Sequence, residues 1–562
     1  MSRDIRDDIK QLWDYEEEAV FSFLPDEIVK GRLDLPTAGG KGVIGREIAF
    51  RLAQIKSTPF VSVFFTPRLI LNKQWAKACN AHLNKNRKGK RKWHLIFVGS
   101  DPVGKTGIEY EKAHKKAGTK GTIPAYSTTN PKKLRDRVDF LVRSNYNVLV
   151  ISTYHSNKSV RQAGFHVDFS FYDEAHFLPT GKSELLVCED DFFAATELDA
   201  DKKVFATATP RITASSKGKG MNNEDVYGPV VFRRSPRELI EAGAIVGPVL
   251  HIVGTNPEID GILDIDDEFE FSNITPDVDS RAFNAQADMI YQAFTKHREV
   301  VKRRSDYPDM IGAKMLVVCN GQGNMRGLFE SRQFKKLRKS NPNIKIYGLC
   351  VDWGIEFDGH HYKLVSNRRK EEFLHSVWDM KDTDEAIIFH VDMIGVGLDI
   401  PMLTGVVFLR ACNLTKFQQN IGRGARLHPF DRERIESGEL QVGDYVNYVK
   451  PKYDVIVPYC FEDKEDFYKR YRDWLVNLRS DYAFDPSELV NPANLQPAPT
   501  DDPDDSLPPS MRGITQQDVL QFYHRIEIDE ISDEQHCYSD EFVKQLKTGN
   551  KDVIKSLFRR AK

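Results

Sequence analysis

The sequence predicts an α/β fold: two tandem lobes, each a parallel β-sheet covered by helices, with a small helical region at the C-terminal end. Three observations carry this expectation. Short apolar runs at 60–65, 94–98, 148–152, 169–172 and 204–206 alternate with amphipathic stretches, as buried parallel strands between helices do. The same alternation resumes at 314–319, 345–349, 386–390 and 405–409. Between the two sets lies an acidic, turn-rich stretch at 254–279 that reads as a loop or linker.

These shifts set the expected boundaries: a first lobe over 1–240, a linker over 241–280 and a second lobe over 281–460. A helical extension follows over 461–490, with aromatic and apolar positions at helical spacing within 465–478. The Pro- and Asp-rich stretch 491–512 buries too little apolar surface to fold and is expected to be a flexible linker. The tail 513–562 is amphipathic with a basic end, and offers a segment for a protein partner.

With 562 residues the chain has room for several cores. Lys and Arg number 80 against 82 Asp and Glu, so a polyanionic partner must be held by local basic patches, not by the overall field. The 7 cysteines are scattered, without a Cys-x-x-Cys pair, which argues against a zinc ribbon or a disulfide framework. The charged first ten residues hold no secretory apolar core, and no window approaches a membrane span. A cytoplasmic protein is expected.

The chemistry is concentrated at the ends of the apolar runs. Asp173-Glu174-Ala175-His176 closes the run at 167–172 and places adjacent carboxylates where a strand would open onto a cleft, an arrangement suited to a metal ion and an attacking water. The next run ends in Ala206-Thr207-Ala208-Thr209-Pro210, and Gln419-Asn420-Ile421-Gly422-Arg423-Gly424-Ala425-Arg426 lies far downstream. Two loops compete for a phosphate. Gly99 to Thr106 matches Gly-x-x-x-x-Gly-Lys-Thr in full, but the basic, Gly-containing stretch behind it makes a poor helix. Pro36-Thr37-Ala38-Gly39-Gly40-Lys41-Gly42 runs into residues 43–55, where Ile44, Ile48, Leu52 and Ile55 recur at helical spacing.

Asp-Glu-Ala-His, Thr-Ala-Thr-Pro and Gln-x-x-Gly-Arg-x-x-Arg, in that order, resemble the superfamily 2 helicases and translocases over about residues 5–479. The resemblance implies two RecA-like lobes that use ATP and Mg²⁺ and act on nucleic acid. It also implies that motif I comes first, which selects the loop with Lys41. Thr37, Ala38, Gly39, Gly40, Lys41 and Gly42 would then cradle the phosphates, with Lys41 neutralising charge. Asp173 would hold the metal, Glu174 would orient the attacking water, and Arg423 and Arg426 would be arginine fingers, assisted by Gln419. His176, Thr207 and Thr209 would couple nucleotide state to movement. Asp399, in Gly395-Val396-Gly397-Leu398-Asp399-Ile400-Pro401, would contact the nucleotide sugar.

Two residues depart from the family pattern. Gly42 stands where the family has Thr or Ser, whose hydroxyl ligates Mg²⁺, and Glu16 stands where it has an adenine-reading Gln. A carboxylate only accepts hydrogen bonds, so it cannot also donate to the base. Arg68 and Thr153 match nucleic-acid-gripping motifs, and the basic run with Lys85, Arg87, Lys88, Arg91 and Lys92 adds a phosphate-tracking candidate. Ser152 to Ser156 and Arg423 to Pro429 resemble the branch of restriction-enzyme motor subunits and phage DNA helicases. That points to DNA over RNA and to a bacterial or phage-infected cell. An RNA helicase and a nucleotide-switched binding protein remain alternatives.

Overall fold

The computed structural model describes residues 12–67, 75–76, 78–85, 89–99, 126–180, 192–213, 217–254, 281–319, 321–350, 354–357, 359–363, 367–391, 400, 402–409, 412, 414–459, 474–475, 477–478 and 481–482. The expected flexible linker and tail, 491–562, lie outside them, as does most of 461–490. Two eight-stranded sheets organise the described chain.

The first sheet is made of β1 (Lys30–Asp34), β2 (Val61–Thr66), β3 (Trp93–Val98), β4 (Tyr126–Ser127), β5 (Asn147–Thr153), β6 (Phe169–Asp173), β7 (Lys202–Thr207) and β8 (Val230–Arg233). Their spatial order is β4-β3-β5-β2-β6-β7-β1-β8, and every neighbouring pair is parallel. All C-terminal strand ends therefore share one edge, where ligands of open α/β sheets bind. Both β2 and β5 are buried at every position, the state of a parallel strand covered on two faces. Alternation distributes their side chains: Phe64 packs with Phe171 and Ile48 in one core layer, while Phe65 packs with Tyr172 and Phe205 in the other. A Phe-to-Ala change in either layer costs about 3–5 kcal/mol by the usual cavity penalty.

The second sheet comprises β9 (Gly247–Gly254), β10 (Lys314–Val318), β11 (Lys345–Cys350), β12 (Gly354–Phe357), β13 (His360–Tyr362), β14 (Ala386–His390), β15 (Gly405–Phe408) and β16 (Lys452–Tyr459). The order is β13-β12-β11-β14-β10-β15-β16-β9, with β9 to β11 and β14 to β16 joined through parallel pairings and an antiparallel β12–β13 hairpin on one edge. Each apolar run singled out in the sequence falls on a strand, with only end residues such as Phe60, Cys319 and Leu409 outside it. Residues 247–254, inside the stretch expected to link the lobes, instead form β9 and pair with β16 over its whole length. Partnership across the sheet, not local composition, makes that segment a strand.

Two helices matter most for the site. Helix α1 (Asp14–Phe23) packs beside α2 (Lys41–Ile55), which follows β1 through the loop 35–40. A Cβ on Gly45 would lie 2.6 Å from the Phe171 ring, so glycine there lets α2 approach β6 closely and brings Lys41 toward the end of that strand.

Candidate active site between the lobes

The loop before α2 has the shape expected of a phosphate cradle. Ala38 and Gly40 both take left-handed conformations, at φ 70° and 78°, a pattern that turns successive backbone N–H groups toward one concavity. Gly40 has a second constraint: a Cβ on it would lie 2.1 Å from Glu16 Oε1. Glu16 is buried on α1, its other oxygen accepting the Trp13 backbone N–H at 3.1 Å, so its carboxylate is wedged between the helix start and the loop. Lys41, 7% exposed, donates to the Leu35 and Pro36 carbonyls at 3.1 and 3.3 Å and lies 4.0 Å from Glu174 Oε1.

Asp173 ends β6, and its carbonyl accepts the buried Tyr154 hydroxyl at 2.6 Å. Its Oδ2 accepts the Trp75 indole N–H at 3.2 Å. Burial, then the charge of Glu174, raises the Asp173 carboxyl, while Lys41 and the indole hydrogen bond oppose that shift. Glu174 holds a left-handed backbone at φ 49°, which costs a non-glycine residue on the order of 1–3 kcal/mol and is a form of strain that clusters at functional sites. Its Oε2 is buried without a hydrogen bond, 3.4 Å from His176 Nδ1. An uncommitted buried carboxylate oxygen beside a lysine is chemically suited to take a proton from water.

His176 joins the two lobes. Its Nδ1 lies 3.0 Å from Thr207 Oγ1, which also accepts the Thr209 backbone N–H at 3.1 Å, and its Nε2 lies 3.0 Å from the Gln419 amide nitrogen. Burial pushes His176 down to about 4, so the ring is neutral near pH 7 and can accept from Gln419 while donating to Thr207. Gln419 lies on the helix Leu414–Gly424, where a Cβ on Gly422 would approach Thr37 Cβ to 2.5 Å. That contact sets the helix directly on the loop before α2. Arg423, 6% exposed, is on the same helix; burial lowers its guanidinium to about 10 against the attraction of Glu174.

Thus Thr37 to Gly42, Asp173, Glu174, His176, Thr207, Thr209, Gln419 and Arg423 converge at the lobe interface. Arg426, two residues past that helix, places positive charge near Lys450. Asp399 and Arg68 lie outside the described residues, as do Arg87, Lys88 and the competing segment 100–106. Of Lys85 only the backbone is described, in the helical turn Ala81–Lys85.

The basic run corrects one expectation. Arg91 and Lys92 precede β3, and Arg91 donates to Asn145, before β5, at 2.7 Å and to the Ser57 carbonyl, before β2. In an all-parallel sheet that is the edge opposite the site, so these two residues are not on the rim that carries Thr153. The charge run looked like a track only because it follows a motif in sequence; the strand of β3 returns it to the far edge. Thr153 itself is buried at the end of β5, with Oγ1 hydrogen-bonded to Ser156 Oγ at 3.2 Å. Trp75, which holds the Asp173 carboxylate, carried no signal in the sequence because it lies in no recognisable motif, and Tyr154, although inside the Ser152 to Ser156 motif, was not marked there as a partner of Asp173.

No family description and no curated protein matches the sequence. Among solved structures, the chain is similar to the ATP-dependent Type ISP restriction-modification enzyme LlaBIII bound to DNA, with 17% identity and a TM-score of 0.54. The alignment covers 85% of this chain and 30% of that one, so the chain spans under a third of its neighbour's length. The fold is shared with that neighbour: two α/β lobes, each built on a largely parallel sheet. More distant likenesses, at TM-scores of 0.46, are to the DUF1998 helicase MrfA bound to DNA, 10% identical over 84% of this chain and 52% of that one, and the Mycobacterium smegmatis helicase Lhr bound to ssDNA and AMP-PNP, 10% identical over 83% and 48%. No helix among the described residues is long and apolar enough to cross a membrane.

Proposed function

We propose that this chain is a nucleic-acid-dependent ATPase that moves along or unwinds DNA, with ATP hydrolysed between its two lobes. The observation that carries this reading is the Thr207–His176–Gln419 chain beside Glu174 and Arg423, because it ties the hydrolytic carboxylate to the relative placement of the lobes. The neighbour of shared fold is described as ATP-dependent and bound to DNA, which supports DNA as the polymer.

The donor set fits a magnesium nucleotide. The loop 37–42 would receive the phosphates through backbone N–H groups, and Lys41 would pair with their outer charge. Asp173 would hold Mg²⁺, directly or through water, and the ion would supply charge neutralisation at the phosphates. Gly42 offers no ligand. Glu174 would accept a proton from the attacking water through its uncommitted Oε2, and Arg423 would stabilise charge developing on the transferred group. Movement of the helix Leu414–Gly424 would make or break the His176–Gln419 contact, so that hydrolysis and lobe closure are linked.

The test is phosphate release with duplex DNA, single-stranded DNA, RNA and no polymer, for the wild type and Glu174→Gln. DNA-stimulated release that Glu174→Gln abolishes while keeping nucleotide binding is expected. A second reading, a nucleotide-switched binder, is favoured by Gly42 and Glu16, the two departures from the family pattern. It would prevail if the wild type bound nucleotide and DNA but released no phosphate.

A further inference from the structure

The loss of a hydroxyl at position 42 coincides with a ring in the space it would use. A Cβ on Gly42 would lie 3.2 Å from Trp75 Cη2 and 3.4 Å from its Cζ2, so the branches of a threonine beyond that Cβ would have to displace the indole. The ring is fixed from several directions. It packs edge-on to Phe64 at 5.5 Å and tilted on Phe171 at 5.8 Å, with the Arg46 guanidinium 5.7 Å from its centroid, and only 8% of the residue is exposed. Its N–H is thereby aimed at Asp173 Oδ2.

Building on the ATPase reading, we propose that Trp75 is a positioning residue that orients Asp173 from the place left by the missing hydroxyl, and that Gly42 is glycine because this ring needs the room. An indole N–H only donates, so Trp75 cannot ligate a metal; it can only hold one carboxylate oxygen and leave the other for the metal or its water. A threonine hydroxyl would ligate the ion itself. The two solutions exclude each other sterically, which makes positions 42 and 75 a coupled pair.

The test uses the full chain carrying Glu174→Gln, so that a fluorescent ATP analogue is bound and not consumed. The readout is the Mg²⁺ concentration at half-maximal binding, with the melting temperature of each variant recorded alongside. Trp75→Phe keeps the ring and removes the donor, and should raise that concentration roughly tenfold, the scale of one hydrogen bond to a charged group. Gly42→Thr should do worse, because it displaces the ring. Gly42→Thr with Trp75→Leu should recover toward wild type, because the hydroxyl now has room. An unchanged half-point in folded Trp75→Phe, or a double variant no better than Gly42→Thr alone, would overturn the proposal. Lys41→Ala separates the two levels: if it binds the analogue as well as the parent does, the nucleotide site itself is misplaced, whereas loss of binding there with a silent Trp75→Phe removes only the positioning role.

Discussion

Two aspartates, one in each sheet, are both desolvated but with opposite electrostatic outcomes. Asp454, in β16, accepts from His251 Nε2 at 2.8 Å, His297 Nδ1 at 2.5 Å and Arg304 at 2.7 Å. Burial works to raise its carboxyl, but the charges of His251 and Arg304 and the two imidazole hydrogen bonds outweigh that and hold it well below the usual range. Asp173 receives the Trp75 indole N–H and a backbone N–H from Glu174 and has Lys41 nearby, but burial and the facing Glu174 charge outweigh these and push its carboxyl up. A carboxylate that fastens strand to helix brings its own cations. The one at the cleft is left short of positive charge, a deficit that suits a magnesium nucleotide.

The sharpest way to break this comparison is at Arg423. If the cleft's charge arrangement serves hydrolysis, Arg423→Ala should cut DNA-stimulated phosphate release by about 10³-fold or more, the usual range for an arginine finger, while nucleotide affinity changes far less. A rate that survives would mean that Arg423 is only packing. Next comes the pair itself. Asp454→Asn leaves Arg304 and two imidazole partners without their anion and should destabilise the protein by about 3–5 kcal/mol in urea unfolding. Asp173→Asn removes a carboxylate whose charge burial and Glu174 disfavour, so the nucleotide-free protein should melt no lower than wild type and should lose its stabilisation by Mg²⁺ and nucleotide. Two losses of similar size would erase the distinction.

A smaller effect is expected where the lobes meet. A double-mutant cycle of His176→Ala and Gln419→Ala should show a coupling of about 0.5–3 kcal/mol in DNA-stimulated turnover, as for directly contacting residues. Additive losses would mean that the contact transmits nothing.

The last effect is one of pH dependence and concerns a second-lobe cation. Lys450 donates to the Leu403 and Gly424 carbonyls at 3.2 and 2.8 Å, and burial, then the charge of Arg426, lowers it to about 7. Between about pH 7 and the ordinary lysine range the folded chain therefore binds fewer protons than the unfolded one, so stability rises with pH across that window. Lys450→Met should flatten this rise in urea unfolding measured at successive pH values.

Much of the first lobe's site was legible because its parts are local. Asp173-Glu174-Ala175-His176 and Thr207 to Thr209 sit at the ends of apolar strands, and a parallel sheet sends all such ends to one edge. The helix after Lys41 announced itself through Ile44 and Ile48, both fully buried. Strands β1, Lys-Gly-Arg-Leu-Asp, and β9 escaped notice because their pairing partners, not their own patterns, make them strands.

By itself the sequence determined the fold class, because alternating apolar runs are a local pattern, and the motif order of the resemblance picked out Asp173, Glu174, Lys41 and Arg423, which the structure brings together. Only the tertiary structure decided that Arg91 and Lys92 occupy the far edge of the sheet, that Glu16 wedges against Gly40, and that the Trp75 ring fills the space beside Gly42 and holds Asp173. Those relations join residues tens of positions apart through steric fit and hydrogen-bond direction. Neither is encoded in any local window.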